Sequence, residues 1–424
     1  MNLFIRDVCI VTSELEQVHP PTNIAVKDGM ITTIGILPNE VPDHEFHANG
    51  AYLTPGWCDL FPQMGEPGEE FREDLQSLRA AAASGGYTAI VPYPNTKPVI
   101  QSKAEVQMLT RGNRNSCTQI HPIGSLTVNG EGKDMAELTD MHHAGAVGFS
   151  DGPGGIQDAG LLTRVLDYSK SFDGLIIDQP NDRSMNHGAQ IHEGLVSTQL
   201  GMKGSPSLSE ELMVHRDLVL QKYTNGRMHL SMISSKGSLN ILNDSNKDNN
   251  ITASAAVMNL CFTDASLWGF DTMYKVQPPL RGEEDKIALW EALDNDIITA
   301  IVSNHVPWDR DHKDIEFPYA KRGVSMLQYA YACLNTFGLK PLLPHKVFKW
   351  FAQGPRKIAG IPLPEVKVGQ LADFTIFDPI IKWTPSEENQ TSKSDNHPFL
   401  KKELSGRVLG VVRGSQAIWN KIDE

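Results

Sequence analysis

The central part of the chain alternates apolar, strand-like runs with helix-like stretches, and this alternation constrains the fold more than any other feature. The eight strand-like runs are residues 51–60, 87–93, 120–126, 146–149, 175–177, 228–233, 251–257 and 297–302. Helical patterns separate several of them, at residues 73–84, 161–171, 209–223 and 284–293. Eight strands with helical crossovers predict an α/β fold, a (β/α)8 TIM-type barrel. A doubly wound sheet is the alternative, but no glycine-rich dinucleotide fingerprint follows the first strand.

Both ends of the chain have the pattern of strands and turns instead. Near the start, residues 3–11, 23–26 and 30–34 are strand-like, with a turn signal at Lys27-Asp28-Gly29. Residues 374–377 and 407–412 are similar near the end. We therefore predict a small β-sandwich domain built from both termini, residues 1–53 with 366–424, and a barrel domain at residues 54–365.

Composition excludes several functional classes. The chain has 424 residues, and 38 basic against 51 acidic side chains give a net charge of −13, which argues against nucleic-acid binding. No apolar run approaches the length of a membrane span, which is about 18 residues, and the first residues lack the pattern of a targeting signal. The five cysteines are scattered without a CxxC pair, which predicts reduced thiols and a cytoplasmic location.

Motifs at the predicted strand ends resemble those of one enzyme family. They are Pro55-Gly56-Trp57-Cys58-Asp59, Glu66-Pro67-Gly68, Pro94-Asn95-Thr96, Pro278-Pro279-Leu280-Arg281, Gly369-Gln370-Leu371-Ala372-Asp373 and the segment from Ser392 to Pro398. Together, and in this order, these motifs are similar to those of the dihydroorotases of the amidohydrolase superfamily. The resemblance implies an amidohydrolase-type barrel. It also implies a metal-assisted opening of dihydroorotate to carbamoyl aspartate, or the reverse closure.

That chemistry requires a metal ion that polarises the amide carbonyl and a carboxylate that moves the proton. The resemblance places six metal-ligand positions at strand ends, and this sequence has Phe61, Gln63, Asp151, Gln179, Met232 and Asn304 there. Active members have histidine at most of these positions, and aspartate as ligand and general base where this chain has Asn304. The family arginine that holds the substrate carboxylate is replaced by Gly65.

These replacements remove most of the metal chemistry. Phenylalanine has no donor atom, the methionine thioether is soft, and the amides offer only neutral oxygens that bind zinc weakly. Asn304 cannot accept a proton near neutral pH. We therefore predict no metal cofactor, zinc included, and no catalytic residue.

The remaining polar candidates each have a structural alternative. Asp151 is a candidate for a leftover metal ligand, but we interpret it as a loop cap formed with backbone N–H groups. His305, at a predicted strand end, is a weak candidate for catalysis or substrate binding, and we interpret it as the donor or acceptor of a structural hydrogen bond. Asn95 is a candidate for binding a carboxylate or an amide, or for stabilising a turn. Arg281 is a candidate ligand anchor, or the partner of Glu283, Glu284, Asp285 or a barrel carboxylate.

The other histidines give no metal signature. His142 and His143 are adjacent on a predicted helix and face different directions, and His187 and His192 are five residues apart in a predicted loop. We interpret all four as scattered surface residues.

Three functional hypotheses follow from the resemblance. The preferred one is a catalytically inactive dihydroorotase homologue that is a structural or regulatory partner of aspartate transcarbamoylase, as some ligand-deficient family members are, and that forms a homo-oligomer. The second is a residual dihydroorotase or other cyclic amide hydrolase. The third is a small-molecule sensor whose barrel mouth, with Asn95, Gln63, Gln179 and Asn304, binds a neutral ligand such as a pyrimidine.

Overall fold

The computed structural model describes residues 1–12, 20–245 and 250–421. The strands are β1 (Asn2–Ile10), β2 (Thr22–Lys27), β3 (Met30–Ile34), β4 (His44–His47), β5 (Tyr52–Pro55), β6 (Trp57–Leu60), β7 (Tyr87–Val91), β8 (Gln119–Ile120), β9 (Ile123–Gly124), β10 (Gly148–Phe149), β11 (Ile176–Asp178), β12 (Ile191–His192), β13 (Gly204–Ser205), β14 (Met228–Leu230), β15 (Ile251–Ala256), β16 (Ala300–Val302), β17 (Asp373–Trp383), β18 (Leu404–Arg413) and β19 (Gln416–Trp419).

The α-helices lie between and after the central strands. They are α1 (Leu75–Ser84), α2 (Lys103–Thr110), α3 (Leu138–His143), α4 (Ala159–Ser169), α5 (Leu195–Leu200), α6 (Leu208–Thr224), α7 (Lys236–Ser245), α8 (Val257–Cys261), α9 (Glu283–Asp294), α10 (Ala330–Phe337), α11 (Pro344–Val347) and α12 (Gly354–Ala359). A π-helical turn, Phe348–Gln353, joins the last two. Among the described helices, none combines the length and the apolar character that a membrane crossing needs.

The central strands form the predicted barrel. They pair in parallel in the orders β6-β7-β8 and β9-β10-β11-β14-β15-β16, and β8 leads directly into β9. Asp59 on β6 accepts hydrogen bonds from Ser303, immediately after β16, and so joins the first strand to the last. Because parallel strands end at one edge, all the loops that follow them meet at one mouth.

A second sheet joins the two ends of the chain, as predicted. Its order is β19-β18-β17-β5-β1-β2-β3, with β4 paired to β1. Its apolar cluster includes Leu3, Ile24, Leu53 and Phe374 and is separate from the barrel core. The fold class predicted from the sequence is therefore confirmed.

Two predicted strands are each divided in the structure. The run at residues 51–60 forms β5 in the terminal sheet and β6 in the barrel, and the chain passes between the sheets at Gly56. A Cβ atom on Gly56 would lie 2.0 Å from Thr88 Oγ1 and 2.1 Å from Asp373 Oδ1, so only glycine fits there. The run at residues 120–126 is divided similarly into β8 and β9.

Candidate functional site

Three of the family ligand positions lie just after barrel strands and share an unusual backbone. Phe61 follows β6 with φ of 68°, Met232 follows β14 with φ of 56°, and Asn304 follows β16 with φ of 54°. A positive φ is uncommon for residues other than glycine and is strained for bulky ones. The surrounding barrel therefore holds Phe61 and Met232 in a conformation that their side chains do not favour, whereas asparagine tolerates it at position 304.

Phe61 is part of the apolar interior of the barrel. Its side chain is buried and its ring lies 5.0 Å from Tyr93 and 5.2 Å from His229, measured between centroids. Met232 belongs to the same buried cluster. Two positions that carry metal ligands in active family members thus contribute packing here.

Both ring nitrogens of His229 form hydrogen bonds inside the barrel. Its Nδ1 lies 2.8 Å from Thr252 Oγ1, and its Nε2 lies 3.0 Å from Ser254 Oγ. Burial, together with the positive charge of Arg227, lowers the pKa of His229 to about 3. The imidazole is therefore neutral near pH 7, and both nitrogens are engaged by hydroxyl groups.

The mouth contains a cavity of about 250 Å³ whose lining includes five amide side chains. The five amides belong to Gln63, Gln179, Asn181, Gln277 and Asn304, and Trp308 and Arg322 also line the cavity. Gln63 Oε1 accepts a hydrogen bond from Asn95 Nδ2 at 3.2 Å, and Asn304 Nδ2 donates to Gln277 O at 3.0 Å. Among the residues that the structure describes, no carboxylate lines the cavity.

Gln179, which lines this cavity, has a buried side-chain amide that lacks hydrogen bonds. Its side chain is only 2 % exposed, yet neither Oε1 nor Nε2 has a hydrogen-bond partner within the described ranges. Asn95 Oδ1 is also buried without one. Buried polar groups are nearly always hydrogen-bonded, so the mouth holds one unused amide donor group and two unused acceptors.

Asp151, the one family ligand position that keeps a carboxylate, is fully engaged by a neighbouring loop. Its Oδ1 accepts from Thr127 N at 2.8 Å and from Ser125 Oγ at 3.1 Å, and its Oδ2 accepts from Thr127 Oγ1 at 2.7 Å. This carboxylate therefore fastens the loop after β9 to the loop after β10.

His305 is buried against Glu73. Its Nδ1 accepts a hydrogen bond from Met326 N at 3.0 Å, so the proton of the neutral ring lies on Nε2, which is 3.4 Å from Glu73 Oε2. Burial tends to raise the pKa of Glu73, but the interaction with His305 and the hydroxyl of Ser392 outweigh it and lower that pKa. The pair joins the barrel mouth to the segment that precedes α1.

Gly65 leaves no room for a larger side chain. A Cβ atom there would lie 2.3 Å from the carbonyl oxygens of Glu69 and Glu73. The neighbouring Arg72 does not replace the family arginine, because its Nε is 2.8 Å from Glu69 Oε2 and its guanidinium lies over Trp308.

The donor set does not fit zinc. Phe61 supplies no donor, Asp151 is engaged elsewhere, and Gln63, Gln179 and Asn304 offer only neutral amides. Zinc in proteins is bound by thiolate, imidazole or carboxylate. Nowhere in residues 1–12, 20–245 and 250–421 do three or more His, Cys, Asp or Glu side chains form a group that could hold a metal ion.

Arg281 forms a buried ion pair outside the mouth cavity. Its Nη2 lies 3.2 Å from Glu210 Oε2, and its Nε donates to Ser234 Oγ at 2.8 Å. Of the alternatives left open by the sequence, the pairing with a barrel carboxylate is the one observed. His192 lies 3.3 Å from Arg281 Nη1 and is half-buried on β12, so its interpretation as a surface loop residue was wrong.

The other three histidines considered in the sequence analysis do not line the mouth cavity. His142 and His143 end α3 with ring centroids 6.0 Å apart, and His142 packs on Phe172. His187 is exposed. These three do not contribute to the candidate site.

Sequence reasoning missed Arg322 and Gln277 as parts of the mouth. Arg322 lies 20 residues beyond the end of β16, in a segment without a motif. It reaches the mouth because Trp308 Nε1 donates to its carbonyl oxygen at 3.1 Å and because its guanidinium binds Ala189 O. No spacing rule predicts such a contact.

Known proteins resemble the chain over nearly its whole length. A family model described as dihydro-orotase-like matches residues 50–238. The dihydroorotase of Pelotomaculum thermopropionicum is 32 % identical over 421 residues, which cover 99 % of this chain and 98 % of that protein. The dihydroorotase of Geobacter metallireducens is 32 % identical over 430 residues, covering 99 % and 100 %.

Solved structures share the fold at lower identity. The L-hydantoinase (dihydropyrimidinase) of Arthrobacter aurescens superposes with a TM-score of 0.84 at 20 % identity and covers 100 % of this chain and 97 % of that one. The dihydropyrimidinase of Brevibacillus agri gives a TM-score of 0.80 at 18 % identity, covering 99 % and 97 %. At these identities the likeness concerns the fold alone.

Proposed function

The chain belongs to the dihydroorotase family, and from this premise we propose that it is a metal-free, catalytically inactive member that acts in pyrimidine biosynthesis as a structural or regulatory partner of aspartate transcarbamoylase. One observation carries the loss of activity. At the family ligand positions the barrel mouth offers one carboxylate, and that carboxylate is bound by the loop at Ser125 and Thr127.

The reaction of the family needs a base as well as a metal. In this chain Asn304 stands at the position of the general base, and its amide donates to Gln277 O. An amide neither accepts a proton near neutral pH nor generates hydroxide from water. The neutral His229, which lies beneath Phe61, is also unavailable as a base since both ring nitrogens are hydrogen-bonded.

The proposed role as a partner rests on the contrast between the mouth and the rest of the fold. The barrel and the terminal sheet are complete, while five of the six family ligand positions have lost a side chain suited to bind the metal. Phe61 and Met232 fill part of the mouth. Burial of their apolar surface stabilises the folded state by about 25 cal/mol for each Å² removed from water. The substitutions thus preserve the scaffold while removing the chemistry, as is expected of a subunit retained for its surface.

Two experiments test the two parts of this proposal. The first measures dihydroorotate hydrolysis and carbamoyl-aspartate cyclisation by the purified chain with zinc, with a chelated sample and the Geobacter metallireducens dihydroorotase as controls. We expect no turnover above the chelated sample. Chelator-sensitive turnover would contradict inactivity and would favour the second hypothesis, a residual cyclic amide hydrolase.

The second experiment co-expresses the chain with aspartate transcarbamoylase from the same organism and analyses the mixture by size-exclusion chromatography with light scattering. We expect a joint complex of defined mass. Separate elution of the two proteins at micromolar concentrations would contradict the proposed partnership, whatever the activity assay shows.

The unpaired amide of Gln179 favours a second candidate function, in which the mouth is a sensor that binds a small neutral molecule without hydrolysing it. A ligand present at 100 times its Kd stabilises the folded state by about 2.7 kcal/mol. Thermal unfolding with dihydroorotate, carbamoyl aspartate, uracil and nucleotides measures this effect. Absence of any stabilisation would remove the sensor from consideration.

A further inference from the structure

A second cavity, of about 400 Å³, lies beside the barrel mouth. Its lining includes three cations, Lys275, Lys321 and Arg322, and two amides, Asn186 and Gln190. Arg322 also lines the mouth cavity, so the two cavities are neighbours. No carboxylate of the described residues lines this second cavity, which we call the lysine cavity.

Lys275 is a buried cation in the wall of the lysine cavity. Its side chain is 3 % exposed, and its Nζ donates to Phe317 O at 2.6 Å and to Pro318 O at 3.2 Å. An ammonium group has three N–H donors, so one donor of Lys275 has no acceptor among the described residues. Buried charges are normally paired with an opposite charge, yet within the described ranges Lys275 forms no ion pair.

A second buried lysine, Lys313, adds to the positive charge. Its side chain is 1 % exposed, and its Nζ donates to three backbone carbonyl oxygens. Burial and the charge of Arg322 lower the pKa of Lys275 to about 8. Burial and the charge of Lys275 lower the pKa of Lys313 to about 7, although Asp271 acts in the opposite direction. The two ammonium groups therefore destabilise each other, and an anion bound beside them would stabilise both.

Cations of this region lack ion pairs although acidic residues are in excess in the chain. Lys203 binds a backbone carbonyl oxygen beside the lysine cavity. Together with it, the cations are Lys203, Lys275, Lys313, Lys321 and Arg322, and none of them forms an ion pair in the part of the chain that the structure describes. The whole chain has a net charge of −13. A cluster of unpaired cations in such a protein indicates that a bound anion supplies the missing charge.

We propose that the lysine cavity binds the phosphate group of a small molecule, which is either inorganic phosphate or a phosphate monoester. Phosphate carries up to two negative charges and at least three acceptor oxygens, so it matches several cations better than a carboxylate does. Lysine binds phosphate as a point charge, and the planar arginine guanidinium binds it through two parallel hydrogen bonds. The free donor of Lys275 and the guanidinium of Arg322 are the groups that hold it. The inference does not depend on whether the barrel mouth is catalytic.

The lysine cavity has room for more than a phosphate ion. A volume of about 400 Å³ falls in the range of small-molecule sites. Gln190 Oε1 is buried without a hydrogen-bond partner among the described residues, and it is an acceptor that suits a hydroxyl group of an organic phosphate. Both sources share the phosphate chemistry, and binding measurements separate them.

Isothermal titration calorimetry of the full chain with inorganic phosphate tests the proposal. The titration is made in a phosphate-free buffer, with sodium chloride at the same ionic strength as the blank. We expect saturable binding of one phosphate per chain. Ribose 5-phosphate and ribose are titrated in parallel. Tighter binding of ribose 5-phosphate than of inorganic phosphate would identify a monoester as the ligand, and equal or weaker binding would identify phosphate itself.

Three variants locate the site. Lys275→Met removes the buried charge and should abolish phosphate binding. Because Lys275 also holds two carbonyl oxygens, Arg322→Gln is the second variant. Its side chain is exposed, and its loss should weaken phosphate binding about tenfold, as expected for one hydrogen bond to a charged group. Arg227→Gln is the matched control, because Arg227 also binds backbone carbonyl oxygens but lines neither cavity, and it should leave the Kd unchanged. Circular dichroism and melting temperature show whether each variant is folded.

Three results would overturn the proposal. The first is a folded wild-type chain that binds neither phosphate nor ribose 5-phosphate at millimolar concentrations. The second is binding that folded Arg322→Gln and Lys275→Met variants retain unchanged. The third is an equal loss of binding in Arg227→Gln, which would indicate a general effect of net charge. None of these measurements involves dihydroorotate turnover or aspartate transcarbamoylase, so failure here leaves the proposed function as it stands.

Discussion

Asp59 accepts two hydrogen bonds from Ser303, one from the backbone N at 2.7 Å and one from Oγ at 2.5 Å, and this contact joins the first and last strands of the barrel. Asp59 is completely buried. Burial raises the pKa of this carboxyl group to about 7, although the hydrogen bonds from Ser303 act in the opposite direction. The barrel is therefore closed by a carboxyl group that binds its proton more tightly in the folded state than in the unfolded state.

The first prediction concerns the pH dependence that this carboxyl group confers. Between about pH 4 and pH 7 the folded state retains a proton that the unfolded state releases, so the free energy of unfolding decreases as pH rises. With about 1.4 kcal/mol per pKa unit, the decrease from Asp59 reaches about 4 kcal/mol. The Asp59→Asn variant should not show this decrease in the free energy of unfolding. Urea unfolding of both proteins from pH 4 to pH 8 measures it, and parallel pH profiles would contradict the prediction.

The second prediction is that Phe61 has become a core residue. Phe61→Ala should lower the free energy of unfolding by about 3–5 kcal/mol, the usual loss for a buried phenylalanine. Gln63→Ala, at a half-buried family ligand position two residues away, should lower it by about 1 kcal/mol, because it removes one hydrogen bond to Asn95. Guanidinium unfolding compares the two, and equal losses would count against a packing role of Phe61.

At Phe61 the effect of backbone strain on stability can be separated from the effect of side-chain packing. Because its φ is 68°, Phe61→Gly creates a similar cavity but adopts this backbone without penalty. The glycine variant should therefore be more stable than the alanine variant by about 1 kcal/mol. A less stable glycine variant would show that the backbone relaxes once the ring is removed.

The third prediction concerns metal. Purified protein dialysed against zinc and then against metal-free buffer should contain well below one zinc ion per chain, because the mouth lacks thiolate, free imidazole and free carboxylate donors. Its melting temperature should be unchanged by chelator. The Geobacter metallireducens dihydroorotase, treated identically, is the comparison for elemental analysis. One tightly held zinc ion per chain would mean that residues outside the family positions bind metal.

The fourth prediction is that Gln179 lowers stability in the absence of a ligand. Gln179→Leu should raise the free energy of unfolding by about 1–3 kcal/mol, since it removes a buried amide whose two polar atoms are unpaired. Gln221→Leu is the comparison variant, because Gln221 is also buried but its Nε2 donates to Gly226 O at 3.0 Å, so that only its Oε1 is without a partner among the described residues. That variant should lose stability. Destabilisation by both variants would indicate that an ordered water satisfies Gln179.

The chemical content of the mouth was accessible from the sequence because it depends on residue type. Replacement of ligands by Phe61, Met232 and Asn304 removes donor atoms wherever the side chains point. The barrel and the terminal sheet could also be predicted from the sequence. The periodicity of apolar residues and the succession of strand-like and helix-like segments are visible along the chain itself. The division of one apolar run at Gly56 was not, because it follows from the positions of Thr88 and Asp373, which are distant in sequence.

Tertiary structure alone decided how the polar residues are used. Asp151 is bound by a loop 24 residues away, and Arg281 pairs with Glu210 71 residues away. Gln179 is buried, yet its amide has no hydrogen-bond partner in the described part of the chain. Sequence determined which groups this protein can offer, because donor chemistry and strand propensity are carried by each residue. The fold decided which of those groups remain free, because a hydrogen bond requires two atoms within about 3 Å, and only the packing of distant segments brings them that close.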